Sequence, residues 1–290
     1  MRILQMDAGR EMRGGQWQVL RLMEGLTGAG VETWLAARGD SPLFAVARER
    51  GLQVTRLELA SLREKADLVH AHDARSHSLA VALARAPVVV ARRVAFPLGR
   101  GPLSRWKYRQ AAHFIAVSEF VRGQMSECGI AAEKVSVVYD GVPLLPLAQR
   151  GGGRILAPAP TPDKPAELYQ RTGLDISFAK HLETDLKTAS YFVYISNSEG
   201  LGSGILMAMA AGVPVIASRT GGIPEIIQHE ENGLLTDARP EAVATAVRRL
   251  QADSAFTKRL ALRGRQTVTE RFSIEIMIQN TLAVYRRVLG

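Results

Sequence analysis

Short apolar segments alternate with helical segments along nearly the whole chain, and this alternation limits the folds that are open to it. Segments such as "RILQMD", "PVVVARR" and "HFIAVS" have the length and the composition of buried strands, and each precedes a segment of helical character. Parallel sheets that are covered by helices on both faces produce this pattern. We therefore predict an α/β fold built from doubly wound, Rossmann-like domains.

A chain of 290 residues is long enough for two such domains, each with its own core. The segment "PLLPLAQRGGGR", residues 143–154, has the proline and glycine content of a linker. We place an N-terminal domain at residues 1–147 and a C-terminal domain at residues 148–290. The last helix is predicted at residues 273–289, with Ser273 as its N-cap, and we expect it to pack back on the first domain.

Composition excludes several classes of protein. The hydrophobic fraction of 47% and the charged fraction of 22% are typical of a folded globular protein. No apolar run approaches the roughly 20 residues of a membrane span. The apolar segment at the N-terminus is too short for a signal peptide, so we expect a cytoplasmic protein. Cys128 is the only cysteine, which excludes an internal disulfide and a multi-cysteine metal site.

The formal net charge of +9 favours anionic partners. Several cations lie between Arg92 and Arg109, interleaved with Phe96, Trp106 and Tyr108 and without any acidic residue. Two interpretations stay open: a solvated loop and helix face, or a surface that rests on anionic lipid headgroups at the inner face of the membrane. No nucleic-acid-binding motif accompanies the charge, so we expect no nucleic-acid partner.

The segment "SNSEGLGSGILMAMAAGVPVIAS", residues 196–218, combines an acidic residue, a glycine-rich turn and the start of a helix. Glu199 follows a predicted strand, and the glycines after it let the backbone approach a ligand closely. The unpaired amides at the start of the helix, near Gly204, favour a diphosphate. Ile205 stands where a dinucleotide-binding fingerprint needs its third glycine, so that fold is poorly supported. The alternative is a tight turn with a capping glutamate.

Several stretches, taken in order, resemble the family 4 retaining glycosyltransferases of the GT-B fold. They are "MRGGQWQVLRLMEGL", "ADLVHAHDARS", "RWKYRQAAHFIAVSEFVRGQM", "KVSVVYDGVP", "SEGLGSGILMAMAAGVPVIAS", "GGIPEII" and "ENGLL". The resemblance implies transfer of a sugar, with retention at the anomeric carbon, from a nucleotide-diphosphate sugar of the UDP or GDP type. The acceptor would be a cell-envelope glycan, such as lipopolysaccharide, or a lipid-linked glycan. No cofactor and no metal ion are expected, and the chain has no D-x-D motif to hold a divalent ion.

The resemblance also assigns roles to individual residues. Glu199 would hydrogen-bond to donor-sugar hydroxyls, and His72, close to the reacting sugar, would donate to a donor oxygen. The donor-binding set, with backbone amides directed at the diphosphate, is Gly200, Leu201, Gly202, Ser203, Gly204, Ile205, Met207 and Lys164. The phosphate or acceptor side is Gly14, Gly15, Asp73 and Arg75. For His72 a purely structural role stays open, and His70 is expected to point to the other face of its strand, into the core.

Two features depart from the family pattern. Met207 stands where the family carries a second glutamate that binds the ribose diol, and the loss of that carboxylate costs about 1–3 kcal/mol if the diol is buried. Met207 also fits a helix core. We expect the second domain to lack one strand-helix unit, which in the family carries the cations that clamp the diphosphate. Lys164 and Lys180 are candidate substitutes; the alternative is that both are solvated surface lysines.

These departures leave two other functions open. The protein could be a catalytically weak or inactive GT-B protein that binds a partner, or a GT-B sugar-nucleotide epimerase. An active transferase has to bind a nucleotide-sugar, whereas an epimerase forms its product without an acceptor. The sequence does not select the sugar or the base, because the shape of the pocket selects them.

Overall fold

The computed structural model describes residues 1–61, 65–96, 98–99, 101–149, 151–164 and 166–290. It contains two compact units: Met1–Asp140 together with Ile274–Gly290, and Gly141–Ser273. Each unit has a parallel sheet with helices, which confirms the predicted α/β fold. The boundary lies seven residues before the predicted one, because the Val142 amide already donates to the Phe272 carbonyl within the second unit (N···O 3.0 Å).

The first unit has seven strands within the described residues. They are β1 (Arg2–Asp7), β2 (Glu32–Ala37), β3 (Val54–Arg56), β4 (Leu68–Ala71), β5 (Val88–Arg92), β6 (His113–Ala116) and β7 (Val135–Val137). Their order is β3-β2-β1-β4-β5-β6-β7, and every pair is parallel. The order therefore reverses between β1 and β4. In open α/β sheets, ligands bind outside the carboxyl ends of the strands at such a switch point.

In the described part of this unit, five helices connect the strands: α1 (Gly14–Gly28), α2 (Pro42–Glu49), α3 (Ala74–Leu83), α4 (Pro102–Gln110) and α5 (Glu119–Glu127). Their starts have clear local causes. Ser41 caps α2 by accepting a hydrogen bond from the Phe44 amide (3.2 Å), and Pro42 fits the first helical turn. Ser118 caps α5 in the same way through the Val121 amide (3.1 Å). These caps fix where the chain leaves the sheet.

The second unit has five strands within the described residues: β8 (Ile155–Ala157), β9 (Ile176–Phe178), β10 (Tyr191–Tyr194), β11 (Val215–Ser218) and β12 (Leu234–Thr236). Its helices are α6 (Ala166–Gln170), α7 (Leu182–Asp185), α8 (Ser203–Ala210), α9 (Ile223–Ile226), α10 (Pro240–Ala252) and α11 (Ser254–Arg271). The strand order is β12-β11-β10-β8-β9. The switch point lies between β8 and β10. The β8 side of this sheet has two strands, whereas the β1 side of the first sheet has three. The second sheet is thus shorter by one strand on this side.

The last helix, α12 (Ile274–Leu289), belongs to the first unit and packs on α1. Ile278, Leu282 and Tyr285 on its inner face join the core of that unit. The two helices approach closely at Gly25, where a Cβ atom would lie 2.5 Å from Ile278 Cγ1. A side chain larger than hydrogen at position 25 requires a shift of the Ile278 side chain or of α12.

The contact at Gly25 predicts a specific loss of stability. The variant Gly25→Ala should lower the free energy of unfolding by about 1–3 kcal/mol, because the added methyl group overpacks the α1–α12 contact. Gly28→Ala is the matched control in the same helix, since nothing lies within 4 Å of its Cβ position. It should be neutral or stabilising by up to about 1 kcal/mol. Urea unfolding of both variants measures this, and equal values for the two would contradict the packing argument.

Candidate functional site

Lys164 and Glu199 lie together at the switch point of the second sheet. Lys164 is in the segment after β8, Glu199 is in the segment after β10, and these two strands are paired. The Lys164 Nζ to Glu199 Oε2 distance is 3.1 Å, and each side chain is 17% exposed. Lys180 is instead exposed just before α7.

Tyr194, the last residue of β10, is a third member of this site that the sequence did not indicate. Its hydroxyl donates a hydrogen bond to Glu199 Oε2, and Lys164 Nζ lies 5.1 Å from the centre of its ring. Burial, and then the charge of Glu199, raise the pKa of Tyr194 well above its ordinary value. Tyr194 therefore stays protonated and acts as a fixed donor. The sequence feature that could have indicated Tyr194 is its position at the end of a strand, five residues before Glu199.

The backbone around Glu199 is held by residues from the neighbouring strand β11 and the loop after it. Ser218 Oγ accepts from the Ser196 amide and donates to the Ser196 carbonyl, both at 3.0 Å. The Gly222 amide donates to the Glu199 carbonyl (3.2 Å). Gly221 has φ +56°, and a Cβ atom there would lie 1.9 Å from the Glu199 carbonyl oxygen. The "GGIPEII" motif thus positions the glutamate.

The turn after Glu199 starts α8 through a left-handed residue. Gly202 is the N-cap with φ +106°, and no described side chain caps the helix. Gly204 allows the ring of Tyr194 to pack against the helix, because a Cβ atom there would lie 3.1 Å from Tyr194 Cε2. The Ile205 amide donates to the Gly202 carbonyl (2.9 Å). The Ile205 amide is therefore engaged within the turn. The backbone amides predicted to bind the diphosphate are thus limited to those of the residues before Ile205.

Part of the predicted donor-binding set contributes side chains to the core and not to the surface. The side chains of Leu201 and Ile205 are buried, and Met207 is only 4% exposed. Every residue of α8 from Ile205 to Ala210 is buried. The structure thus shows Met207 in the helix-core position that the sequence left open as an alternative to a nucleoside contact.

In the first unit, loops after β1 and β4 form a pocket of about 330 Å³ at the switch point. It is lined by Ala8, Gly9, Arg10, Glu11, Arg13, Gln16, Asp73, Ala74 and Arg75. Two predicted residues, Asp73 and Arg75, are therefore brought together here. Gly14 and Gly15 begin α1 between two of the lining residues, Arg13 and Gln16, and no described atom lies within 4 Å of the Cβ position of Gly15.

The carboxylate of Asp73 is engaged by the backbone. Its Oδ1 accepts from the amides of Arg75 (2.7 Å) and Ser76 (3.1 Å), and its Oδ2 accepts from the Ala8 amide (2.6 Å). It thereby caps α3 and fixes the loop after β1. Asp7 lies buried beside this loop, where burial, and then the charge of Asp73, raise the pKa of its carboxyl group.

His72 is buried, and both of its ring nitrogens have protein partners. Nδ1 lies 3.0 Å from Arg93 Nη1, and Nε2 lies 2.7 Å from Gln5 Oε1. A guanidinium can only donate, so Nδ1 accepts and the single ring proton sits on Nε2 and is donated to Gln5. Burial, and then the neighbouring His70 and Arg93, lower the pKa of His72 well below its ordinary value. The expected donation from His72 to a donor oxygen is therefore not available in this conformation.

The expectation for His70 also needs correction. Its side chain is buried, as expected of a core residue, but the rings of His70 and His72 lie 4.1 Å apart. Residues two apart on a strand point to the same face, so His70 shares the face of His72.

Among the described residues, no group of three or more His, Cys, Asp or Glu side chains could hold a metal ion.

Comparison with known proteins gives the family. Residues 12–144 match the model described as "Glycosyltransferase Family 4", and residues 154–253 match the model described as "Glycosyl transferases group 1". The two matches together take in most of both units. The chain belongs to the family 4 glycosyltransferases.

Individual relatives agree with this placement. The chain is 47% identical over 72 residues to the GDP-mannose-dependent alpha-(1-6)-phosphatidylinositol monomannoside mannosyltransferase of Mycobacterium tuberculosis, which is 24% of this chain and 19% of that protein. It is 37% identical over 91 residues to the lipopolysaccharide core biosynthesis glycosyltransferase LpsE of Rhizobium meliloti, 31% of this chain and 27% of LpsE. Each matched stretch thus spans less than a third of the relative.

A solved structure shows the fold. The crystal structure of Anabaena Alr3699/HepE in complex with UDP and glucose superposes with a TM-score of 0.85, covers 99% of both chains and is 17% identical. The fold is therefore GT-B, as the sequence predicts.

The close approach at Gly221 predicts a large destabilisation. Gly221→Ala should lower the free energy of unfolding by about 1–2 kcal/mol for the left-handed backbone, and by about 1–3 kcal/mol more for displacing the Glu199 backbone. Gly173→Ala is the matched control, because Gly173 has φ +70° and nothing within 4 Å of its Cβ position. In urea unfolding, Gly173→Ala should lose only the stability that comes from the left-handed backbone, about 1–2 kcal/mol. Losses of the same size in both variants would show that Gly221 does not support the Glu199 turn.

Proposed function

We propose that this protein is a retaining glycosyltransferase that transfers a sugar from a UDP- or GDP-linked donor to a cell-envelope glycan or a lipid-linked acceptor without a metal ion. The observation that carries the proposal is the Lys164–Glu199–Tyr194 arrangement at the switch point of the second sheet, directly before α8. Two named relatives support the reaction class: one uses GDP-mannose and a phosphatidylinositol mannoside, the other builds lipopolysaccharide core. HepE, whose fold is the same, was solved with UDP and glucose.

The proposed roles follow from charge and hydrogen-bonding capacity. Lys164 neutralises the diphosphate as it departs, together with the amides at the start of α8. Glu199 accepts hydrogen bonds from sugar hydroxyls through the oxygen that Tyr194 does not occupy. As the bond from the anomeric carbon to the diphosphate breaks, the acceptor oxygen bonds to the same face of that carbon. The acceptor proton passes to an oxygen of the leaving diphosphate, so no protein nucleophile is required.

The acceptor side and the membrane contact belong to the first unit in this proposal. Every described side chain of α4 is at least partly exposed, with Leu103 at 79% and Trp106 at 47%. A pocket of about 520 Å³ beside this helix is lined by Arg105, Tyr108, Arg109, Glu127, Cys128, Gly129, Ile130, Ala131 and Lys134. Exposed apolar side chains next to several cations favour a protein that rests on an anionic membrane from the cytoplasmic side. No helix in the described ranges is long and apolar enough to cross a membrane.

A second candidate function has specific support. Met207 is buried and the His72 proton is donated to Gln5, so two contacts expected of an active donor site are not made in this conformation. Both observations favour a catalytically weak or inactive GT-B protein that acts through a partner. Donor binding separates the two candidates, because only the transferase requires it.

Donor binding is expected to depend on Lys164. Calorimetric titration with UDP, GDP, UDP-glucose and GDP-mannose should give binding to at least one, and Lys164→Gln should weaken it about 10- to 100-fold, because a charge-assisted contact to phosphate is lost. Lys258→Gln, on an exposed position of α11, is the matched control and should bind like the unsubstituted protein. An absence of binding to all four nucleotides would overturn the proposed function in favour of the second candidate.

Membrane association is expected to depend on α4. The protein should sediment with vesicles of phosphatidylglycerol and phosphatidylcholine at low salt but not with phosphatidylcholine alone, since anionic headgroups attract the cations. Leu103→Ser should reduce the bound fraction severalfold by removing buried apolar area. Leu262→Ser, at a similarly exposed leucine of α11, should not. Equal binding to both kinds of vesicle would contradict the electrostatic part of the proposal.

A further inference from the structure

Five polar side chains of the first unit form a continuous series of hydrogen bonds, called here the His72 network. They are Arg93, His72, Gln5, Tyr285 and His70. Arg93 Nη1 meets His72 Nδ1 at 3.0 Å, His72 Nε2 meets Gln5 Oε1 at 2.7 Å, Gln5 Nε2 meets the Tyr285 hydroxyl at 3.4 Å, and that hydroxyl meets His70 Nδ1 at 2.7 Å. The series connects the loop after β5 to the last helix of the chain.

Sheet pairing and helix packing bring these side chains together. In the parallel register of β1 and β4, Gln5 is the direct partner of His70. Tyr285 reaches both residues from α12, and its side chain is completely buried. Arg93 is anchored on its other side by Asp140, with an Nε to Oδ1 distance of 3.1 Å and 13% and 10% of the two side chains exposed. The network is therefore fixed at both ends.

The chemistry of the groups sets the direction of each hydrogen bond. Arg93 can only donate, so the His72 proton is on Nε2 and is donated to the Gln5 carbonyl oxygen. The amide nitrogen of Gln5 then donates to the Tyr285 hydroxyl and to the Thr33 hydroxyl, each at 3.4 Å. The single hydrogen of the hydroxyl then has Nδ1 of His70 as its acceptor, 2.7 Å from the hydroxyl oxygen, so Nδ1 accepts. Both histidines are consequently neutral with the proton on Nε2, in agreement with burial lowering both of their pKa values.

The network is not explained by stability alone. The assignment leaves a proton on His70 Nε2, and this buried atom has no hydrogen-bond partner among the described residues. A buried donor without a partner is destabilising, and apolar side chains of the same shape avoid that loss. A buried polar series that carries such a defect indicates a requirement other than packing.

We infer that Arg93 and Tyr285 are positioning residues that hold His72 from its two sides, as one neutral tautomer in one orientation. This inference rests on the proposed function and on the resemblance, which implies that His72 lies close to the reacting sugar. Because Gln5 takes the ring proton, the network fixes where the ring lies and does not direct a donation to the sugar. Arg93 selects the tautomer directly, and Tyr285 does so through Gln5. The last helix, α12, thus contributes a positioning residue to the first unit, although Tyr285 lies 280 residues from Gln5 in the sequence.

The first test reads the tautomer and needs no activity. In protein with ¹⁵N-labelled histidine, NMR should show His72 and His70 with the proton on Nε2. Arg93→Lys keeps a donor to Nδ1 and should keep the single His72 tautomer, whereas Arg93→Met should give a mixture. Tyr285→Phe removes only the hydroxyl and should shift the ring signals of both histidines. A His72 proton on Nδ1 in the unsubstituted protein, or a Tyr285→Phe spectrum without a change at His72, would overturn the inference.

The second test reads turnover. Tyr285→Phe should lower kcat about three- to tenfold with the donor KM unchanged, because one neutral hydrogen bond holding His72 is lost. Thr281→Val is the matched control: it deletes a buried hydroxyl of α12 that donates to the Met277 carbonyl (2.8 Å) and is not hydrogen-bonded to a described member of the network. It should leave kcat unchanged. If no nucleotide-sugar is turned over, the proposed function fails, and the NMR result still decides the network. A shifted His72 spectrum with unchanged kcat would show that the network does not position His72 for catalysis.

Discussion

Parallel strands bring every loop that follows their carboxyl ends to one edge of the sheet, and both candidate site regions depend on this constraint. Because β8 pairs with β10, Lys164 and Glu199 reach the same edge and form an ion pair. Because β1 pairs with β4, the Ala8 amide reaches the Asp73 carboxylate. Neither contact arises from residues that are close in the sequence.

The charges at the second switch point are kept largely out of water and are paired with each other. A carboxylate that is mostly buried is costly unless a cation and hydrogen-bond donors compensate it, and Lys164 and Tyr194 supply both. In the proposed reaction the diphosphate becomes a partner of Lys164, so the cation stays paired. Tyr194 and the sugar hydroxyls then remain as the donors that compensate the Glu199 carboxylate.

In both units, glycines allow close contacts that fix the positions of neighbouring backbone and side-chain atoms. Gly221 and Gly204 allow the Glu199 backbone and the Tyr194 ring to lie against neighbouring chain atoms. Gly25 does the same for α12, which brings Tyr285 to the buried face of β1 and β4. In each case a missing side chain at one position fixes a polar group at another. Close helix and loop packing therefore decides where the functional side chains point.

The sequence by itself determined the fold class, the approximate limits of the last helix and the turn that holds Glu199. These follow from local periodicity and glycine content, which report the environment of a segment independently of its neighbours. The predicted helix at 273–289 begins one residue later, at Ile274, and Lys164 was already a candidate at a strand end. Only the tertiary structure decided that β8 lies beside β10, that Tyr194 binds Glu199 and that Gln5 takes the proton of His72. Strand order and side-chain partners depend on residues far apart in the chain, and no local pattern records which of them will meet.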